Sequence, residues 1–113
     1  MKKDLEKRTK QFSIAVIKFT ASLPRTREAD ILARQLIRSG TSIGANYREA
    51  NRGVSRPDFA NKIGTVQKEA SETQYWLELF MESEITKAVP LELHKEACEL
   101  LAIFTAIGKK LKE

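Results

Sequence analysis

Apolar residues recur along the chain in steps of three and four, and four such runs follow one another. In the first, about Asp4 to Ser22, Leu5, Phe12, Val16 and Phe19 fall on one side of a helix and Leu23 follows in line. The second, about Arg27 to Arg52, carries Leu32, Leu36, Ile43, Tyr47 and Ala50 on its inner side. The third, to about Ser83, places Phe59, Ile63, Val66, Ala70, Thr73, Leu77 and Phe80 in alternating steps of four and three, the seam of a helix bundle. The fourth starts near Pro90 and repeats the pattern with Leu93, Ala97, Leu100, Phe104, Ile107 and Leu111.

The residues between these runs are helix punctuation. Asp4 suits the N-cap of the first helix, and Leu23, Pro24 and Arg25 break it. Thr26 is the expected N-cap of the second, with Glu28 in its first turn, and Gly53 suits a left-handed terminating position. Ser55 and Asp58 form a capping pair for the third helix, and Pro90 fits the first turn of the fourth. Lys109, Lys110 and Lys112 favour a helix C-terminus. Four amphipathic helices joined by short connections predict an all-α fold, an antiparallel up-and-down four-helix bundle, with residues 1–113 as one domain.

One stretch departs from ordinary helix composition. Between Arg38 and Phe59 the second helix opens with Ser39, Gly40, Thr41, Ser42, Gly44 and Ala45. A glycine inside a helix costs about 1 kcal/mol against alanine, so Gly40 and Gly44, one turn apart on one side, predict close approach of another backbone. Ser42 and Asn46 are placed beside the core, where polar groups fix register. Trp76 anchors either the bundle or a subunit contact.

Composition narrows the function classes. Hydrophobic residues at 42% and charged residues at 31% fit a globular chain. The single cysteine, Cys98, has no internal partner for a disulfide. The basic N-terminus has no apolar region behind it, and the apolar run near Leu100 to Ile107 is far too short to span a bilayer. The expectation is a cytoplasmic protein with no membrane attachment. The net charge is +5 and unevenly spread: residues 1–27 carry +6, residues 28–57 +2, residues 58–84 −4 and residues 85–113 +1. Such asymmetry marks either a polyanion-binding face or helices of opposite sign packed as neighbours.

A second set of apolar residues lies outside the core pattern. Ile14, Ile17 and Ala21 fall opposite Phe12, Val16 and Phe19, and Tyr75 and Leu79 fall opposite Leu77 and Ala70. Aligned on two helices, Ile14, Ile17, Tyr75 and Leu79 predict subunit contacts in a homo-oligomer.

Among groups that could carry chemistry, the arginines of the second helix stand out. Arg34 and Arg52 share almost one azimuth, with Arg38 and Arg48 within about 40° on either side. Guanidinium groups contact phosphates in bidentate fashion, so a stripe several turns long could follow a nucleic-acid backbone, extended by Lys2, Lys3, Lys7, Arg8 and Lys10. Asp30 and Glu49 flank the stripe, as on the outer face of any amphipathic helix. Nothing specifies base readout. The acidic residues Glu69, Glu72, Glu78, Glu82 and Glu84 read as salt-bridge partners of arginines rather than as a metal or acid–base site, because Leu91 precedes His94 where a di-metal bundle needs Glu. Gly40 to Gly44 lacks the spacing and lysine of a phosphate-binding loop. Cys98, with no basic neighbour in sequence, reads as a packing residue. No catalytic residue, metal ligand or cofactor is expected, and the chain is read as a non-enzyme.

The segments RSGTSIGANYREANRG, SRPDFANKI and KEASETQYWLEL make the chain recognisable. It resembles the four-helix-bundle proteins encoded in intervening sequences of bacterial 23S ribosomal RNA genes, over essentially its whole length. That family is similar to the accessory variability proteins of diversity-generating retroelements, which act beside a reverse transcriptase. The resemblance implies a small bundle assembled as a homopentameric ring with a basic, nucleic-acid-binding surface and no catalysis. Its matching positions are Arg38, Ser39, Ser42, Ile43, Asn46, Glu49 and Ala50 in the second helix, and Phe59, Lys68, Glu69, Glu72 and Trp76 in the third; they are expected mainly to define fold and assembly. The leading expectation is a homo-oligomer binding RNA or DNA, with RNA preferred, through Arg34, Arg38, Arg48, Arg52, Lys7 and Lys10. The alternative is an oligomeric scaffold for a protein partner such as a polymerase or reverse transcriptase.

Overall fold

The computed structural model describes residues 2–113, which form α1 (Lys2–Ala21), α2 (Arg27–Asn51), α3 (Arg56–Glu82) and α4 (Leu91–Leu111). Local chemistry sets most of these boundaries. The Thr26 hydroxyl accepts from the Ala29 N–H at 3.1 Å and opens α2, and Ser55 does the same for α3 by accepting from the Asp58 N–H at 3.2 Å. Pro57 then occupies the first turn of α3, where no amide donor is needed.

Three expected ends differ. Asp4 lies inside the first turn of α1 rather than before it, a placement that still favours the helix dipole. Gly53 does not take a left-handed conformation. The helix ends at Asn51 with Arg52 as its C-cap, and a Cβ at Gly53 would sit 3.1 Å from the Ala50 carbonyl oxygen, so crowding rather than φ explains the glycine. Pro90 stands at the N-cap of α4 rather than in its first turn, without a side-chain cap. Among the described residues the left-handed conformation falls to Glu84, at φ 61°, in the connection between α3 and α4.

The helices run antiparallel in sequence order, α1 on α2, α2 on α3 and α3 on α4, with a thinner seam between α4 and α1. The molecule measures 45 × 21 × 21 Å. Phe12, Val16, Leu36, Ile43, Ile63, Leu77, Phe80, Leu100 and Phe104 fill the core with residues from all four helices. Each contributes roughly 1.5–3 kcal/mol by leaving water. Aromatic edges cross both diagonals, Phe19 against Phe80 at 5.4 Å and Tyr47 against Phe104 at 5.1 Å.

The two sides of α2 pack by different means. Toward α1 the small residues allow close approach: a Cβ at Gly44 would lie 3.3 Å from the backbone carbonyl carbon of Thr9, and one at Gly40 would lie 3.0 Å from a Val16 methyl. The expected backbone approach is therefore found at Gly44, whereas Gly40 accommodates a side chain. Toward α3 the contact is polar, because the fully buried hydroxyls of Ser39 and Thr73 share a 2.9 Å hydrogen bond. Ser42 and Asn46 both donate to carbonyls of their own helix, those of Arg38 and Ser42.

Candidate nucleic-acid interface

Because Leu36, Ile43 and Tyr47 turn inward, Arg34, Arg38, Arg48 and Arg52 emerge on the exposed side of α2. Their surroundings divide them. Arg34 pairs with Asp30 one turn earlier at 3.0 Å, with both side chains largely in water. Arg38 reaches across to α3, where its Nη2 donates to Glu72 at 2.8 Å and its Nη1 lies 3.6 Å from Glu69. The second distance is a charge contact and not a hydrogen bond. It leaves Glu69 Oε1 buried without a hydrogen-bond donor. Arg38 is thus a bridge between helices, a correction to its place in an open stripe. Arg48 has only a loose contact, 3.9 Å, with Glu6, which also accepts from the Asn51 amide at 2.8 Å. Arg52 is exposed and has no ion-pair partner among the described residues. The same holds for Lys7 and Lys10 on α1.

Close packing at Gly44 shapes the ground between these cations. A groove of about 490 Å³ runs between α1 and α2, with Lys10, Arg48 and Arg52 above a floor that includes Ser13, Thr41, Gly44 and Ala45. Glu6 and Glu49 also line it. The Ser13 and Thr41 hydroxyls donate to the carbonyls of Thr9 and Ile37, so the donors left for an anion are the three cationic side chains. A second groove, about 410 Å³, lies on the α3 side of Arg52 and includes Lys62, whose ammonium is 3.1 Å from Glu49. Arg52 belongs to both.

Arg8 does not extend the stripe. Its guanidinium grips Glu96 at 2.7 and 2.8 Å and Glu99 at 2.9 Å, closing the thin seam between α1 and α4. The hydrogen bond to Glu96 raises its pKa further above an already high value, so it is charged at every relevant pH. Sequence spacing carries no sign of a pair 88 residues apart. Cys98 has a basic neighbour after all: the His94 ring, one helical turn earlier, lies 3.9 Å from its sulfur, while His94 Nε2 lies 3.1 Å from Glu78 and the Gln74 amide donates to the sulfur at 3.1 Å. Among the described residues no cluster of His, Cys, Asp and Glu could hold a metal ion.

The outer apolar residues fall into place with one exception. Ile14, Ile17 and Tyr75 are exposed, whereas Leu79 is partly covered. Trp76 packs against the core and meets the Tyr75 ring edge-on at 5.2 Å, with its Nε1 buried and unpaired. Ile31 and Ile37 are exposed too and were not singled out in the sequence. The contact between Gly40 and Val16 sets Ile37 level with Ile17, and the bond between Ser39 and Thr73 sets Ile31 level with Leu79. The result is two small apolar patches, Ile17 with Ile37 on the α1 side of α2 and Ile31 with Leu79 on its α3 side, with Arg34 and Arg38 between them. No helix among the described residues is long and apolar enough to cross a membrane.

Comparison with known proteins gives the same architecture. The 23S rRNA-intervening sequence protein family matches residues 2–106. A crystal structure of a protein of unknown function from the S23 ribosomal protein family of Bacteroides thetaiotaomicron superposes with a TM-score of 0.85 at 35% identity, covering 96% of this chain and 99% of its own. No curated protein matches the chain.

Proposed function

Since the chain belongs to the 23S rRNA-intervening sequence protein family, we propose that it is a non-enzymatic homo-oligomer that binds nucleic acid, RNA in preference to DNA, through phosphate contacts. The observation that carries this reading is the set of exposed cations Lys7, Lys10 and Arg52, which no carboxylate among the described residues neutralises, beside a groove walled by Lys10 and Arg48. Lysine and arginine engage phosphates irrespective of sequence, and such binding weakens as salt displaces it. Assembly is part of the proposal. The exposed side chains of Ile14, Ile17, Ile31, Ile37 and Tyr75 are apolar surface of the kind that subunit contact covers, and a pentameric ring is the assembly that the family resemblance implies. A ring would repeat a weak phosphate site and raise its avidity.

Sedimentation of the purified chain together with an RNA-binding titration tests both parts. The expected result is an oligomer whose RNA affinity falls steeply between low and moderate salt. A monomer at micromolar concentration would remove the assembly, and no salt-sensitive binding would remove the nucleic-acid reading. Capture of a polymerase-type protein that survives nuclease treatment, without any shift of labelled RNA, would favour the scaffold alternative.

A further inference from the structure

Twelve of the 20 Lys and Arg of this chain are gathered at one end of the bundle. The N-terminus of α1, the turn between α2 and α3 and the C-terminus of α4 meet there: Asn51 bonds to Glu6 at 2.8 Å, and Arg56 Nη2 donates to the Leu111 carbonyl at 3.2 Å. Residues 2–12, 44–67 and 104–113, together with the Glu96 and Glu99 that Arg8 grips, make up this end and hold 12 Lys and Arg against seven Asp and Glu. Residues 17–37 and 73–95, which make up the other, hold six against six. The whole positive excess of the protein is thus concentrated at one pole of a molecule 45 Å long.

Helix stability does not account for this. Lysines at the C-terminus of α4 complement its dipole, but Lys2 and Lys3 occupy the first turn of α1, and Arg56 begins α3. Cations at a helix N-terminus oppose the dipole and cost stability. Nor do carboxylates absorb the charge, since Glu6 and Glu49 already meet Asn51 and Lys62, and Lys7, Lys10, Lys109, Lys110 and Lys112 are exposed without ion pairs among the described residues. A surface that keeps unpaired lysines, two of them against the dipole of α1, is suited to a polyanion.

We propose that this pole is the docking surface, with Arg56 and the α4 lysines Lys109, Lys110 and Lys112 as contacts in addition to Lys10 and Arg52, and that it takes the phosphate backbone of a double helix. This deepens the nucleic-acid reading and rests on it. Single-strand binders draw much of their affinity from stacking bases on aromatic side chains. Among the described residues the one exposed aromatic is Tyr75, in the half of α3 away from this pole; at the pole Phe12, Tyr47 and Phe104 are buried and Phe59 is half-buried against the core. The pole therefore offers charge and no aromatic beyond the half-buried Phe59 on which bases could stack, which fits the dense, regular phosphates of a duplex.

The test is fluorescence anisotropy of the full chain with a labelled RNA duplex of about 20 base pairs at low salt. The triple variant Lys109→Glu, Lys110→Glu and Lys112→Glu should lose about tenfold or more in affinity, with a log–log salt slope shallower by about two to three. The milder variant with glutamine at all three positions should lose less in the same direction, which guards against a folding defect. Reversal of Lys87 and Lys95 at the other pole should change affinity by less than about threefold. Duplex should outcompete a single strand of equal length. Wild-type binding that the α4 variants leave unchanged, or a stronger single strand, would overturn this inference while sparing the nucleic-acid reading; absence of any wild-type binding would overturn that reading itself.

Discussion

The two halves of α2 present arginine on the same face and use it differently. In the first half Arg34 pairs with Asp30 and Arg38 is held by Glu72 and Glu69, so the positive charge serves to join α2 to α3. In the second half Arg48 has only a distant carboxylate, and Arg52 has none among the described residues. What separates them is the neighbouring helix. The carboxylates of α3 concentrate in its second half, level with Arg38, while α1 brings Lys7 and Lys10 alongside the second half of α2. The azimuth of a charged residue says which way it points, but the register of its neighbours decides whether the charge is spent.

The largest effect bearing on this contrast is expected at Gly44, where the second half of α2 meets the backbone of α1. Gly44→Leu should destabilise the fold by about 1–3 kcal/mol through overpacking, read as a lower midpoint in urea unfolding, because the Thr9 backbone cannot rotate aside. Next, Lys10→Glu at the edge of the groove should weaken RNA binding about tenfold at low salt with an unchanged melting temperature, since the side chain is exposed and makes no ion pair among the described residues. Gly64 on α3 gives the opposite of Gly44: nothing lies within 4 Å of a Cβ there, so Gly64→Ala should stabilise by about 1 kcal/mol through helix propensity alone. The smallest effect belongs to the spent half. A double-mutant cycle of Arg38→Gln with Glu72→Gln should give a coupling of about 0.2–1 kcal/mol, in keeping with a pair still partly in water. A coupling near zero would mean that Arg38 is not held by α3 and belongs with Arg52.

The fold was legible because it rests on periodicity. The apolar steps in the third and fourth runs are the buried seams of α3 and α4, and Thr26 and Ser55 cap the helices that their side-chain chemistry suits. Glycine was legible as a sign of close packing at Gly44 but misleading at Gly53, where crowding against the Ala50 carbonyl imitates the demand for a positive φ. The state of individual charges was not legible. The pairing of Arg8 with Glu96 depends on how α1 and α4 come together at opposite ends of the chain, and Arg38 looks like Arg52 until the carboxylates of α3 are set beside it. The gathering of cations at one pole is likewise a product of topology, because it takes antiparallel packing to bring Lys7, Arg56 and Lys112 to the same end.

The most direct test of open against spent charge compares Arg52→Glu with Arg34→Glu in parallel salt titrations of RNA binding. The account predicts that Arg52→Glu lowers affinity about tenfold and flattens the salt slope by about one, while Arg34→Glu stays within about threefold of the wild type. Equal losses from the two variants, or a greater loss from Arg34→Glu, would contradict it.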